Sequence, residues 1–337
     1  MRIKKAILPV LMGLIWSSTW GCGTDDAYSG PDAPVSSSPM EFDTASSSYS
    51  GEALTLTNLK EVSVYGSVSG ASSLLFDDVT LALIDGKWSY QGAKYWEPDK
   101  DYRFYGVAPV KNDSWSLNVN NPGTPDERCQ MDFDLTHSGG KVDLIAAVPD
   151  VLTTPSEIPS KMEPVKFRFR HLLSQVRFTF INELVNPFYV INVDYGMVMD
   201  PVTSGTIVLS DRAASWNVST LYDAYLRFNK GQAYVNIPYQ SDPIFILPGE
   251  RDGLKVVFQT QLFYCPGGDL NQFKELTYSC SHSVILPAIN YEMGKSYNFI
   301  AHLTPSNVLG DSGEELSGIT FDVEEQWRWD AETNVWE

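Results

Sequence analysis

From about residue 54 the chain alternates apolar with polar residues. Leu54 and Leu56, then Val62 and Val64, are separated by single polar residues, the period of two that sends successive side chains to opposite faces of a strand. The apolar run Val79–Ile84 ends at Asp85-Gly86, and a second strand-like run starts at Lys87-Trp88-Ser89-Tyr90. Asp and Gly both tolerate positive φ, so this pair predicts a two-residue hairpin turn. Further strands are predicted at Arg103–Val107, Val142–Ala146, Lys166–Arg170, Val176–Phe180, Ala233–Ile237, Leu254–Phe258, Tyr297–Ala301 and Ile319–Val323. Only Ser219–Phe228 and Leu270–Leu276 fit short helices. Many short strands broken by turns, with no repeat of fixed period, predict an all-β protein of antiparallel sandwiches.

Two regions interrupt the pattern. Pro149, Pro155, Pro159 and Pro164 crowd one stretch. Proline removes a backbone donor and fixes φ, so this stretch predicts a linker or a crossing loop. A domain boundary is expected here, with a first domain at 51–160 and a second at 161–337. The other region is the N-terminus. Arg2, Lys4 and Lys5 precede an apolar run, Ala6–Ile15, and a short stretch ending Trp20-Gly21. That order reads as a secretory signal peptide over residues 1–21. Cys22 directly after Gly21 resembles a bacterial lipobox, which implies cleavage before Cys22 and lipidation of its thiol. Two or three acyl chains hold a protein stably on a membrane, at about 0.8 kcal/mol per buried CH₂. Asp25-Asp26 resembles the surface-export signal of lipoproteins in Gram-negative gut and oral anaerobes, and equally suits a solvated tether. Residues 22–50, rich in Ser, Pro and Gly, read as that flexible tether. Within it, Asp43-Thr44-Ala45 resembles an O-glycosylation tripeptide.

Charge narrows the partners. The chain has 42 acidic and 24 basic residues, a formal net charge of −18, and three of the basic residues fall in the signal peptide. Nucleic acid is excluded as a partner, because it needs a basic footprint. After the signal no apolar run approaches the ~20 residues of a spanning helix, and the strand-like segments are too short and irregular for an outer-membrane barrel.

Candidate chemistry is sparse. Beyond Cys22 there are Cys129, Cys265 and Cys280. Cys265 and Cys280 flank a 14-residue segment and are either a cross-strand disulfide or two buried thiols. No cysteine spacing suits zinc. Gly66-Ser67-Val68-Ser69-Gly70 has Val where a nucleophile elbow needs Ser. His137, His171, His282 and His302 are scattered, and His171 at a strand end is placed to hydrogen-bond across a sheet. Asp77-Asp78 and Glu324-Glu325 are sequence neighbours, which a strand points to opposite faces, so neither forms an acid/base pair. Asn112-Asp113 and Asp126-Glu127 lack the ordered spacing of a calcium loop. No catalytic role, cofactor or metal is expected.

Three blocks carry a family resemblance. Lys94-Tyr95-Trp96-Glu97-Pro98 leads into Tyr102-Arg103-Phe104-Tyr105-Gly106-Val107-Ala108-Pro109. Phe167-Arg168-Phe169-Arg170-His171-Leu172-Leu173-Ser174-Gln175-Val176-Arg177-Phe178 forms a strand-His-strand unit, and Ile319–Val323 is a closing strand with Trp327 shortly after. Together with the lipobox they resemble the fimbrillin family of surface lipoproteins. The resemblance implies two tandem transthyretin-like Greek-key β-sandwich domains that polymerise by donor-strand exchange. A protease removes the first strand, and a neighbour's strand satisfies the opened sheet and fills its pockets. On that pattern the removable strand lies near Leu54–Leu59, and the donor is the C-terminal segment carrying Ile319, Phe321, Val323, Trp327 and Trp329. The chain departs from the stalk subunits in having no Arg between Arg2 and Arg103, which leaves Lys60 as the candidate processing site. The tail Gln326–Glu337, with three tryptophans, is either a donor or folds back on its own domain. The implied partners are other fimbrial subunits, the outer membrane through the lipid, and host protein or glycan; the implied location is the outer surface or a fimbria. A rival reading is a surface glycan-binding lipoprotein using Trp88, Trp115, Trp216 and Trp329. A glycan binder shows two or three aromatics on one open face, whereas a fimbrillin buries them.

Overall fold

The computed structural model describes residues 38–44, 59–210, 216–219, 224–266, 275–309 and 318–328. Cys22, Asp25-Asp26, most of the tether, Leu54–Asn58 and Trp329 lie outside these residues. The fold is all-β, as the alternation predicts.

Two sheets face each other across the first sandwich. One has the strand order Arg170–His171, Ile145–Ala147, Asp101–Ala108, Glu61–Val68, Phe76–Ile84, Lys87–Ser89, with Leu152–Thr153 also on Asp101–Ala108. The other has the order Asn217–Ser219, Ser204–Leu209, Arg128–Asp134, Trp115–Asn120. Tyr65, Tyr105, Val107 and Ala146 from the first meet Trp115, Cys129, Met131, Phe133 and Ile207 from the second in one buried cluster. The Asp85-Gly86 hairpin forms as expected. Ile84 pairs with Lys87, and φ is 50° at Asp85 and 78° at Gly86, the positive pair that a two-residue turn needs.

The second sandwich has its own core. Ser174–Asn182 and Lys295–Leu303 lie at the centre of one sheet, with Tyr239–Gln240 and Ile244–Ile246 on one side and Phe321–Arg328 on the other. The facing sheet runs Tyr225–Arg227 and Gly231–Tyr234, Tyr189–Met199, Lys255–Tyr264, Glu275–Ile285. Phe178, Phe180, Phe299 and Phe321 pack against Val193, Leu226 and Phe258 between them.

Several expectations are corrected. Hydrogen bonding does not divide at 160/161. Arg170–His171 pairs with Ile145–Ala147, and Ser204–Leu209 pairs with Arg128–Asp134, so the first sandwich is completed by strands well past residue 160. The proline-rich stretch is a crossing loop that lays Ile158 and Met162 against the first sheet. The sheets are also not purely antiparallel, since Ser174–Asn182 runs parallel to Lys295–Leu303. The helix allowed at Ser219–Phe228 is absent among its described residues: Tyr225–Arg227 is a strand on Tyr189–Met199. Leu276, at the end of the second allowed helix, is in strand.

Register decides between the two readings of Cys265 and Cys280. Cys280 lies opposite Thr260, whereas Cys265 follows Tyr264. The offset of five residues is about 16 Å along a strand, well beyond the ~7 Å Cα separation a disulfide spans. Cys129, Cys265 and Cys280 are free thiols, and Cys129 and Cys265 are buried. Burial, with Glu127 adding to it, raises the Cys129 thiol well above its ordinary value, so it packs as an inert apolar group. His171 does reach across, with Nδ1 2.7 Å from the Asp143 carboxylate.

Two outcomes are expected. Alkylation of the denatured, unreduced protein labels Cys129, Cys265 and Cys280; a linked Cys265–Cys280 peptide in the mass spectrum would contradict the register. His282 stacks on Phe258 at 5.0 Å and lies 2.7 Å from Thr260 Oγ1, and burial lowers its pKa from 6.5 to about 4. The unfolded chain protonates first, so this group's stability contribution is intact above about pH 6.5 and is lost as pH falls towards 4. Urea midpoints of His282→Leu should therefore fall less steeply over that window than those of the parent; equal slopes would refute the assignment.

Candidate subunit interface

The strand Glu61–Val68 is buried along both faces from Val62 onward. One face looks into the sandwich. The other, with Val62 and Val64 beside Phe76, Tyr102 and Phe104, forms a second cluster outside it. A sheet apolar on both sides needs a cover on each. Here part of the outer cover is a short segment from far upstream, Ser38–Thr44.

This segment alternates. Ser38, Met40 and Phe42 are buried, while Pro39, Glu41 and Asp43 face out. Phe42–Thr44 pairs in parallel with Val165–Phe167. Phe42 stacks on Phe167 at 5.7 Å and meets Phe76 at 5.3 Å, Tyr90 at 5.6 Å and Phe104 at 5.6 Å edge-on. Two loops hold the backbone. Met40 N donates to Lys94 O at 2.9 Å, Trp96 N to Ser38 O at 3.2 Å and Val165 N to Glu41 O at 2.8 Å. Tyr90 Oη donates to Met40 O at 3.1 Å and Met162 N to Ser38 Oγ at 2.9 Å. Burying Met40 and Phe42 contributes about 1.5–3 kcal/mol each. Ser38–Thr44, ending in the strand Phe42–Thr44, is thus packed into the first sandwich's outer cover, a correction to the tether expected over 22–50. Its signal, the alternation Ser38/Met40/Phe42, is in the sequence but is hidden by Ser- and Pro-rich neighbours.

Of the predicted sites, Leu59 is buried and Lys60 exposed. The Lys60 carbonyl accepts a hydrogen bond from Leu83 N at 2.8 Å, so the candidate cleavage position sits at the mouth of a paired strand. Ile319 and Phe321 are buried in their own sandwich, Phe321 among Phe178, Phe180, Phe258 and Phe299. Val323 is 38% exposed. Phe321–Arg328, which includes Trp327, pairs antiparallel with Lys295–Leu303. Through Arg328 the C-terminal segment therefore folds back on its own domain.

Among the described residues, Trp88, Trp115 and Trp216 of the rival reading do not form a platform, and Trp329 lies outside them. Trp115 is buried and its Nε1 donates to Pro109 O at 3.2 Å. Trp216 donates to Leu172 O at 2.8 Å and packs 6.1 Å from Phe133. Trp88 lies half-buried against the outer cluster. Glu127 points inward, its side chain fully buried. It accepts hydrogen bonds from Ser67 Oγ at 2.5 Å, Tyr105 Oη at 2.9 Å and Gly123 N at 2.7 Å. Among the described residues no three His, Cys, Asp or Glu side chains converge as metal ligands.

Comparison with solved structures finds the same fold in a fimbrial protein from Bacteroides vulgatus, at 12% identity with a TM-score of 0.56 over 87% of this chain and 99% of that one. Provisionally assigned cell adhesion proteins from Bacteroides uniformis and Bacteroides ovatus align at 14% and 11% identity, each over 87% of this chain and 98% and 99% of theirs, with TM-scores of 0.46 and 0.48. No curated protein matches the chain. Residues 53–322, most of the chain, match the fimbrillin-like family, and the protein belongs to that family.

Proposed function

We propose that this protein is a structural or adhesive subunit of a fimbria-like assembly on the cell surface, carried to the outer membrane as a lipoprotein on Cys22 and joined to its neighbours by strand addition. One observation carries the reading: Ser38–Thr44 fills an aromatic groove as a short strand held by loops and two apolar side chains. Loss of that strand would open the backbone edge of Val165–Phe167 and uncover Phe76, Tyr90, Phe104 and Phe167. An incoming strand with apolar residues at alternate positions would satisfy both. Family membership and the fimbrial neighbour support surface location and assembly with other subunits.

The exchangeable segment in this reading is Ser38–Thr44, which ends in the strand Phe42–Thr44, and any cut from Ala45 to Lys60 severs it from the rest of the chain; the strand expected near Leu54–Leu59 lies, but for Leu59, outside the described residues. Ile319 and Phe321 are committed to their own core, so a donor role falls to Trp329 and the residues after it.

N-terminal sequencing and intact mass on native outer-membrane material test this directly. Polymerised subunits are expected to begin after Thr44, at the latest at Glu61, beside an acylated Cys22 precursor; acylated Cys22 in the polymer itself would overturn strand removal. On the unprocessed chain, Phe42→Ala should cost about 3–5 kcal/mol, the range for truncating a buried Phe, read from urea unfolding. A loss below about 1 kcal/mol would show that the groove does not depend on this strand.

A further inference from the structure

The sheet carrying Tyr189–Met199 turns one face to the second core and leaves the other open. Register arranges the open face in rows. Gln232, Asn192, Gln261 and Ser279 lie side by side across four strands, a span of about 14 Å at 4.8 Å per strand. Asp194, Gln259 and Ser281 form the next row. Primary amides and hydroxyls each present donors and acceptors together, and a sugar ring edged with hydroxyls has the matching requirement. A cleft of about 400 Å³ opens over the first rows, lined by Asn192, Asp194, Lys230, Gln232 and Gln261. Oδ1 of the lining residue Asn192 is buried with no hydrogen-bond partner among the described residues.

An aromatic stands beside these rows for a local reason. Gly196 faces the core directly against the Phe228 ring, where a Cβ would come within 2.2 Å of it. The ladder slips between Asp194 and Met197, and Tyr195 takes a positive φ of 53°, a conformation costly for a bulky residue. Its side chain is 62% exposed. Tyr225, opposite Met199 on the same sheet, is 48% exposed, and the Arg227 guanidinium lies 4.9 Å from its ring centre. A tyrosine ring offers an apolar face and a polar tip, suited to the C–H face of a sugar and its hydroxyls. Along the chain the sequence singled out tryptophans for this role, but exposed aromatics occur here as tyrosines.

From the amide rows, the cleft and the strained exposed tyrosine, we infer that the open face of the second sandwich binds a neutral polysaccharide, with Tyr195 stacking on a sugar ring and Asn192 and Gln261 bonding its hydroxyls. Neutral amides favour an uncharged glycan over an acidic one, since the chain carries a net charge of −18 that repels polyanions. The site lies in one subunit and does not depend on strand exchange.

Affinity electrophoresis of the full chain tests it, in gels containing dextran, starch, arabinoxylan or mannan, with polygalacturonate as the acidic probe. The parent should be retarded by at least one neutral polysaccharide. Tyr195→Ala and the double variant Asn192→Ala/Gln261→Ala should each weaken that retardation by about tenfold or more with unchanged circular dichroism. Ile84→Ala, on the first sandwich, should leave it unchanged. Asn192→Gln, milder in packing, should also weaken binding and guards against a misfolded double variant. Absence of retardation by every neutral probe, retardation by polygalacturonate alone, or binding that the site variants leave intact would overturn the inference. Such a failure leaves strand exchange untouched, because the assay reads single subunits.

Discussion

The structure depends on one sheet having two apolar faces. In Asp101–Ala108, Tyr105 and Val107 face the sandwich interior, while Tyr102, Phe104 and Ala108 face the other way. The inner face is covered by a second sheet. The outer face is covered by loops and by Ser38–Thr44, a strand lying outside the 53–322 region that defines the family match. An exposed aromatic face of that size is unfavourable in water, so the sheet is stable only with a strand in that place. The identity of the strand is less constrained than its presence, because backbone hydrogen bonds and alternate apolar side chains are requirements that many sequences meet.

The two sandwiches answer this problem differently. The second is closed by a local strand, Phe321–Arg328, whose Phe321 sits among four core rings. The first is closed from both directions. Ser204–Leu209 and Asn217–Ser219 come back from beyond Ser174–Asn182, and Phe42 arrives from upstream. The buried Glu127, bonded to Ser67, Tyr105 and Gly123, fixes the loop above the same sheet without using the outer face. The first sandwich is thus completed by segments from both ends of the sequence, the second by a strand that follows it directly.

Much of this was legible in the chain. Alternation located most strands, and Asp85-Gly86 located a hairpin with its turn. Glu61–Val68 shows why more was hidden. Val62 and Val64 read as one apolar face, yet Ser63 and Ser67 on the other face are buried too. Their hydroxyls bond Lys111 N and Glu127, so polar residues stood for an interior that looked like solvent. The domain division failed because proline marks a loop without saying whether the chain returns. The choice between a Cys265–Cys280 disulfide and free thiols stayed open because spacing along a hairpin does not give register. Phe42 was missed since two apolar residues in seven carry too little periodicity to outweigh Ser and Pro. The tyrosines of the open sheet face were missed because exposure at Tyr195 follows from a ladder slip at Gly196, a tertiary effect of Phe228.

The central claim is that the groove holding Met40 and Phe42 accepts a strand in exchange. Its most direct test is to place one specific protease site between Ala45 and Asn58, cut it, and follow the N-terminal piece by mass and fluorescence polarisation. The cut piece should remain bound, and a peptide of residues 326–337 in excess should displace it while the rest of the chain stays folded. Retention of the piece at every peptide concentration, or unfolding on cutting alone, would contradict the claim.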